Sequence, residues 1–177
     1  MKSALLVASS IMAISTVASA GGYLGLGLGT QPSVNDETAG IATPSGRSLR
    51  GLGGIRFANV SLEGALNGFD VIAKHNGPTT EYQLSAALKL SLPLGNNFEA
   101  FGRGGLERTW LNVDDSRLDY TGNGFLVGAG FEYRLNAILA SGSLFVDYNF
   151  HHTTLENSVG KLDSTSGVWG IGFTVGI

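Results

Sequence analysis

The stretch Leu84-Ser85-Ala86-Ala87-Leu88-Lys89-Leu90-Ser91-Leu92, "LSAALKLSL", decides how this chain folds. Its even positions are Leu, Ala, Leu, Leu, Leu; its odd positions are Ser, Ala, Lys, Ser. Successive side chains of a strand point to opposite faces, so one face is apolar and the other small or charged. A soluble barrel would bury the leucines. A membrane barrel turns them outward and keeps Lys89 within.

Composition narrows the choice. The chain has 177 residues, enough for one domain with a closed core. It contains no Cys, which removes disulfides and thiolate metal sites. A formal net charge of -3 gives no reason to expect nucleic acid as a partner. Charged residues make up 14%, against roughly 25% in an average soluble domain. Glycine is abundant, with 27 residues, yet aromatics and regular apolar alternation separate the chain from a disordered Gly-rich polymer.

The first 20 residues have the form of a cleaved signal peptide. Lys2 supplies the positive start, "ALLVASSIMAI" the apolar core, and Ala18-Ser19-Ala20 a small-x-small site before Gly21. The expected division is therefore 1–20 as signal peptide and 21–177 as the folded domain. Beyond residue 20 no run approaches the roughly 20 apolar residues of a membrane helix. A membrane location would have to be reached with strands.

Turn signals cut the mature chain into eight alternating segments, near 22–30, 48–57, 60–69, 81–92, 98–110, 123–135, 141–151 and 166–177. Short connections fall at Ala58-Asn59, 93–97 and 135–139; long polar ones at 31–46, 68–80, 111–122 and 151–166. One parity is apolar in strand after strand. It includes Leu24, Leu26 and Leu28, then Leu88, Leu90 and Leu92, then Phe125, Val127 and Phe131, then Trp169, Ile171, Phe173 and Val175. Its only interior charge is Arg108, near the loop end of its strand. The opposite parity carries Arg56, Glu63, Lys89, Arg103, Glu107, Glu132, Arg134 and Asp147, filled out mostly with Gly, Ser and Ala.

A water-facing surface would be crowded with Lys, Glu and Thr. Small residues suit the interior of a closed eight-stranded barrel, which has little room. Tyr82, Trp110, Tyr133 and Trp169 fall near strand ends, as an aromatic girdle at the lipid interfaces requires. Together with segments near the length of tilted membrane strands, these features indicate an all-β fold. It is an eight-stranded antiparallel up-and-down transmembrane barrel in the outer membrane of a Gram-negative bacterium. Closure also removes strand edges, whose unpaired amides cost several kcal/mol each in lipid.

Over 21–177 the chain resembles the OmpA-like eight-stranded outer-membrane barrels of the porin-like β-barrel superfamily. The most specific part is "KLSLPLGNNFEAFGR", with Lys89, a turn Pro93 and Arg103. "GAGFEYRL" with Glu132, "NVSLEGAL" with Glu63 and "FVDYNF" (145–150) are similar to further family strands. The resemblance implies that Glu63, Lys89, Arg103 and Glu132 point inward and pair. Phe145 stands where the family carries an inward Arg, so Glu63 needs another partner, with Arg56 and Arg103 as candidates. The family's aromatic C-terminal residue is Ile177 here. Trp169 and Phe173 keep the alternating pattern of its assembly signal. No peptidoglycan-binding domain follows, so a wall-anchoring role is not carried over.

The expected interior ionic network is Arg56, Glu63, Lys89, Arg103, Glu107 and Glu132, read first as a structural plug and second as a gate for small ions. His151 and His152, before Thr153, Thr154 and Glu156, faintly resemble the His of lipid A-deacylating barrels, but no Ser follows in the His-x-Ser position. With His75 they show no metal-ligand spacing and are expected in solvated loops. "GGYLGLGLG" (21–29) opens no helix, so its alternating glycines belong to barrel packing rather than dinucleotide binding. Asp114, Asp115 and Asp119 lack ordered Ca²⁺-loop spacing.

These readings lead to a monomeric, non-enzymatic protein without metal or cofactor. Its role would be structural or surface-interacting, covering envelope integrity and loop-mediated binding or adhesion. Its expected partners are outer-membrane lipid and lipopolysaccharide, and the outer-membrane assembly machinery during biogenesis. A small-solute or ion pore and a lipid A-modifying barrel enzyme are the alternatives.

Overall fold

Alternation with period two commits each segment to extended backbone, and the computed structural model of the protein shows those segments joined into one ladder. It describes residues 21–34, 42–73, 77–112, 120–136, 141–156 and 160–176. The strands are β1 (Gly21–Gly29), β2 (Ser33–Val34), β3 (Ala42–Phe57), β4 (Val60–Ala73), β5 (Gly77–Gly95), β6 (Phe98–Asn112), β7 (Tyr120–Asn136), β8 (Ser141–Glu156) and β9 (Lys161–Gly176). Each long strand pairs antiparallel with the next, and β1 pairs with β9 from Tyr23↔Gly176 to Gly29↔Gly170. Eight long strands therefore close a barrel. The two-residue β2 continues the β1 wall along β9, with Ser33 opposite Gly167.

The face choice posed by residues 84–92 is resolved. Leu88 and Leu90 are 57% and 60% exposed, while Lys89 between them is 4% exposed. The same holds around the wall, where the exposed large side chains include Leu24, Leu62, Val127, Leu144 and Ile171. Buried positions are mostly polar or charged, with Leu52, Phe101 and Phe145 packed together among them. This is the inverse of a water-soluble core. It is stable because acyl chains, not water, surround the leucines.

Two of the four long polar connections expected from the sequence, 68–80 and 151–166, are largely strand. β3 and β4 stay paired out to Ala42↔Ala73, and β4 and β5 to Ala73↔Gly77. β8 and β9 stay paired to Glu156↔Lys161. Polarity in these segments marks where the wall leaves lipid, and an antiparallel ladder persists in water when its neighbours already fix the register. The opposite end has short turns. Ala58 adopts φ 53°, and its carbonyl accepts a hydrogen bond of 2.8 Å from Arg56 Nε. Gly95, Asn96 and Asn97 also take positive φ, which Gly and Asn tolerate best.

Glycines floor the lumen where side chains must cross it. A Cβ on Gly130 of β7 would lie 2.3 Å from the Val146 carbonyl and 2.8 Å from Asp147 Cβ. Gly124 on the same strand is equally closed, its added Cβ 2.0 Å from the His152 carbonyl. With no side chain on β7 in the way, β6 and β8 meet above it. Gly27 and Gly170 do the same for β3 and β8, lying beneath Arg50 and Asp147. The alternating glycines of "GGYLGLGLG" thus serve packing, as expected.

Gly130→Val should lower the unfolding free energy by about 1–3 kcal/mol through overpacking. Gly102→Val, on the outer face with its nearest non-local atom 3.9 Å away, should stay within about 0.5 kcal/mol. Urea midpoints of the heat-modifiable gel band in detergent micelles measure both. Equal losses would show that the β7 floor is not sterically closed.

Candidate functional site: an ion chain through the lumen

Three polar clusters follow one another along the interior. At the short-turn end, Glu99 pairs with Arg56 at 2.9 Å and with Arg134 at 2.8 Å. Mid-barrel, six charges alternate in sign: Glu132, Lys89, Glu63, Arg103, Asp147, Arg50. Lys89 Nζ lies 2.6 Å from Glu132 and 3.7 Å from Glu63. Arg103 lies 3.3 Å from Glu63 and 3.0 Å from Asp147. Arg50 completes the row, donating to Asp147 Oδ2 at 2.7 Å. Three cations and three anions leave the row formally neutral, which is what a group of charges withdrawn from water requires.

Aromatic rings and a phenol complete the packing. Lys89 Nζ stands 4.4 Å from the Phe101 ring centre and Arg103 Cζ stands 4.9 Å from it. Arg50 lies 5.0 Å from the Phe145 ring centre. These cation–π contacts cover ammonium and guanidinium surface that carboxylates leave free. Tyr23 donates its hydroxyl to Glu63 Oε1 at 2.7 Å. The third cluster lies toward the long hairpins. Glu107 holds His151 Nδ1 at 2.6 Å and accepts the Thr153 hydroxyl at 2.7 Å.

The six residues of the expected network all face inward, but they divide among the three clusters. Glu63, Lys89, Arg103 and Glu132 share the central row. Arg56 belongs to the Glu99 cluster, and Glu107 pairs with His151. Of the two candidates for Glu63, Arg103 is its partner. Phe145, in the place of the family's inward arginine, supports Arg50 from below. The expectation that His151 is a solvated loop residue is corrected: it is 5% exposed, because β8 runs on to Glu156 and position 151 shares the inward parity of Asp147. His152 points outward onto Phe125, with ring centres 5.2 Å apart. His75, Asp114, Asp115 and Asp119 lie outside the described residues, as do residues 1–20 and Ile177.

The sequence reading missed Arg50, Glu99 and Tyr23 and left Asp147 outside the network. Parity would have found Arg50, which shares the inward face of β3 with Arg56. Which charges touch depends on strand stagger and on glycine floors, and parity alone does not encode them. Tyr82 and Trp169 are exposed on the outer wall. Trp169 meets Tyr148 at 5.1 Å, Tyr133 meets Phe98 at 4.8 Å, and Trp110 lies against Arg108.

A family model for the outer membrane protein beta-barrel domain matches residues 3–176. The chain belongs to that family. Its place is the outer membrane. No curated protein gives a significant match. Among solved structures, Neisserial surface protein A is similar with a TM-score of 0.64 and 16% identity, over 87% of this chain and 96% of that one. The N-terminal barrel domain of Pseudomonas aeruginosa OprF gives 0.53 and 12%, over 88% and 99%. The attachment invasion locus protein Ail of Yersinia pestis, solved with the heparin analogue sucrose octasulfate, gives 0.53 and 12%, over 90% and 99%. At such identities the likeness is one of fold.

Asp147, fully buried between two arginines, is the most costly member to remove. Asp147→Ala should destabilise the folded barrel by about 3–5 kcal/mol, since it leaves two buried cations with one carboxylate fewer. Arg134→Ala, at a half-exposed position, should cost under about 1 kcal/mol. Equilibrium urea unfolding in detergent micelles compares them, and a Asp147→Ala loss no larger than that of Arg134→Ala would remove the central row from the stability argument.

Proposed function

We propose that the protein is a closed, monomeric barrel that contributes to envelope integrity and makes its contacts through the outer wall and the projecting hairpins. One observation carries this reading: the lumen is filled across its middle. The two cavities beside Arg50, Asn149 and His151 measure ≈ 10 Å³ each, room for a single water at most. A larger hollow of ≈ 260 Å³ opens at the short-turn end and is floored by Lys89 and Glu132. Names such as surface protein A and attachment invasion locus, carried by barrels of the same fold, accord with a surface role. Trp169, Phe173 and Ile177 would serve as the signal to the assembly machinery, and Tyr82, Trp110, Tyr133 and Trp169 as the interfacial girdle.

Neither alternative has equal support. A pore needs a continuous path, whereas opening this one requires parting Arg103 and Arg50 from Asp147. A lipid-modifying enzyme needs a hydroxyl activated by an imidazole. The Thr154 hydroxyl donates instead to Asp163 at 2.8 Å, and His151 faces Glu107 inside the wall.

Planar-bilayer recordings of the pure protein should show no large, steady, ohmic current. Such a current, shifted in ion selectivity by Lys89→Glu, would establish the pore and sink the plug. Replacing residues 70–80 and 157–160 with short neutral turns should leave heat-modifiable migration intact while removing binding to cells or matrix.

A further inference from the structure

Arg108 of β6 carries its charge on the lipid-facing parity, and nothing in the lumen accounts for it. Its neighbours across the outer wall follow from register: Leu84 on β5, Asn123 on β7, then Thr154 on β8 and Asp163 on β9. One step toward the short turns, the corresponding row is Leu106, Phe125, His152 and Thr165. One step toward the long hairpins it is Trp110, Thr121, Glu156 and Lys161. Arg108 therefore stands where the apolar belt ends. Leu106, directly below it on the same face, is 74% exposed.

The boundary holds a recess. Arg108, Thr121, Gly122, Asn123, Thr154 and Glu156 line a cavity of ≈ 210 Å³ that opens on the outer wall. The acid in its lining, Glu156, pairs with Lys161, and Asp163 next to it accepts the Thr154 hydroxyl. Arg108 forms no ion pair among the described residues. Its guanidinium lies 5.5 Å from the Trp110 ring centre, a contact that orients the plane of the fork without neutralising it. The recess thus presents one aromatic-backed arginine without an ion pair among the described residues, beside the Asn123 amide and the Thr121 hydroxyl, both able to donate.

An arginine on the lipid face costs about 2–4 kcal/mol at the bilayer midplane but almost nothing at the interface, where phosphates are within reach. Guanidinium matches phosphate with two parallel hydrogen bonds. Arg108 lies at the end of β6 remote from the short turn at Gly95–Phe98, and short turns face the periplasm. The leaflet it meets is therefore the outer one. We propose that this recess binds the phosphate of a phosphorylated glycolipid of the outer leaflet, with Arg108 as the anchoring cation and Asn123 and Thr121 as neutral donors. The proposal rests on the surface-contact reading above and names one partner for that surface.

The chain has two tryptophans, so Trp169→Phe leaves Trp110 as the sole indole reporter beside the site. Refolded in detergent micelles and checked by heat-modifiable migration, this protein is titrated with bisphosphorylated lipid A, with the same lipid dephosphorylated, and with inorganic phosphate. The expected result is a saturable Trp110 emission change with the phosphorylated lipid alone. Arg108→Ala should weaken it at least tenfold, Arg108→Lys should fall between, and Asn123→Ala should weaken it severalfold. Retention within twofold in Arg108→Ala overturns the site. Equal response to the dephosphorylated lipid overturns phosphate recognition. Saturation by inorganic phosphate at the lipid's own concentration overturns the lipid assignment. Failure of this titration leaves a closed lumen and hairpin binding untouched, since Arg108 is part of neither.

Discussion

Charges confined to a lumen too narrow for bulk water have to be neutralised by one another. An isolated buried ion costs several kcal/mol, and eight strands leave no aqueous core in which to hide one. Here that constraint is met by side chains reaching over their neighbours. Arg103 on β6 meets Asp147 on β8 above a β7 that offers only glycine at Gly128 and Gly130. Arg50 on β3 reaches the same carboxylate across Gly27 and Gly170. Glycine abundance, usually a sign of looseness, is in this barrel the condition for a packed and electrically balanced interior.

The same interior explains why the outside can be simple. Once polar side chains are matched within, the outer wall has only to be apolar, and leucine serves at position after position. Specific chemistry on that wall appears only at its margins. There, an arginine with no ion pair among the described residues, a tryptophan one step toward the hairpins and a shallow polar recess coincide where hydrocarbon gives way to headgroups.

Parity carried most of the fold. Every position assigned to the outer face and described by the structure is outward, and the charged positions assigned inward point inward. Lys89 between Leu88 and Leu90 shows why, because a one-residue slip of a strand would turn its whole apolar set to the wrong face. The pairing pattern was less legible. Glu63 had two candidate arginines by parity, and only stagger selects Arg103 over Arg56. Strand ends were also misjudged, because the polar residues of the hairpins resemble loops although their backbone remains in the ladder. His151 was placed in solvent for that reason: its surroundings depend on β8 continuing five residues beyond the expected end.

That continuation restricts how the exposed segments can vary. A hairpin that stays paired from the wall to within a few residues of its tip keeps its inside–outside alternation throughout. Lengthening one arm by a single residue would rotate everything beyond it by half a turn, turning Thr153 toward lipid and Thr154 toward Glu107. Changes by two, or matched changes in both arms, would leave the alternation unbroken. Descendants of this chain should therefore differ in the height of these arms in even steps, and freely in residue identity only at their crests.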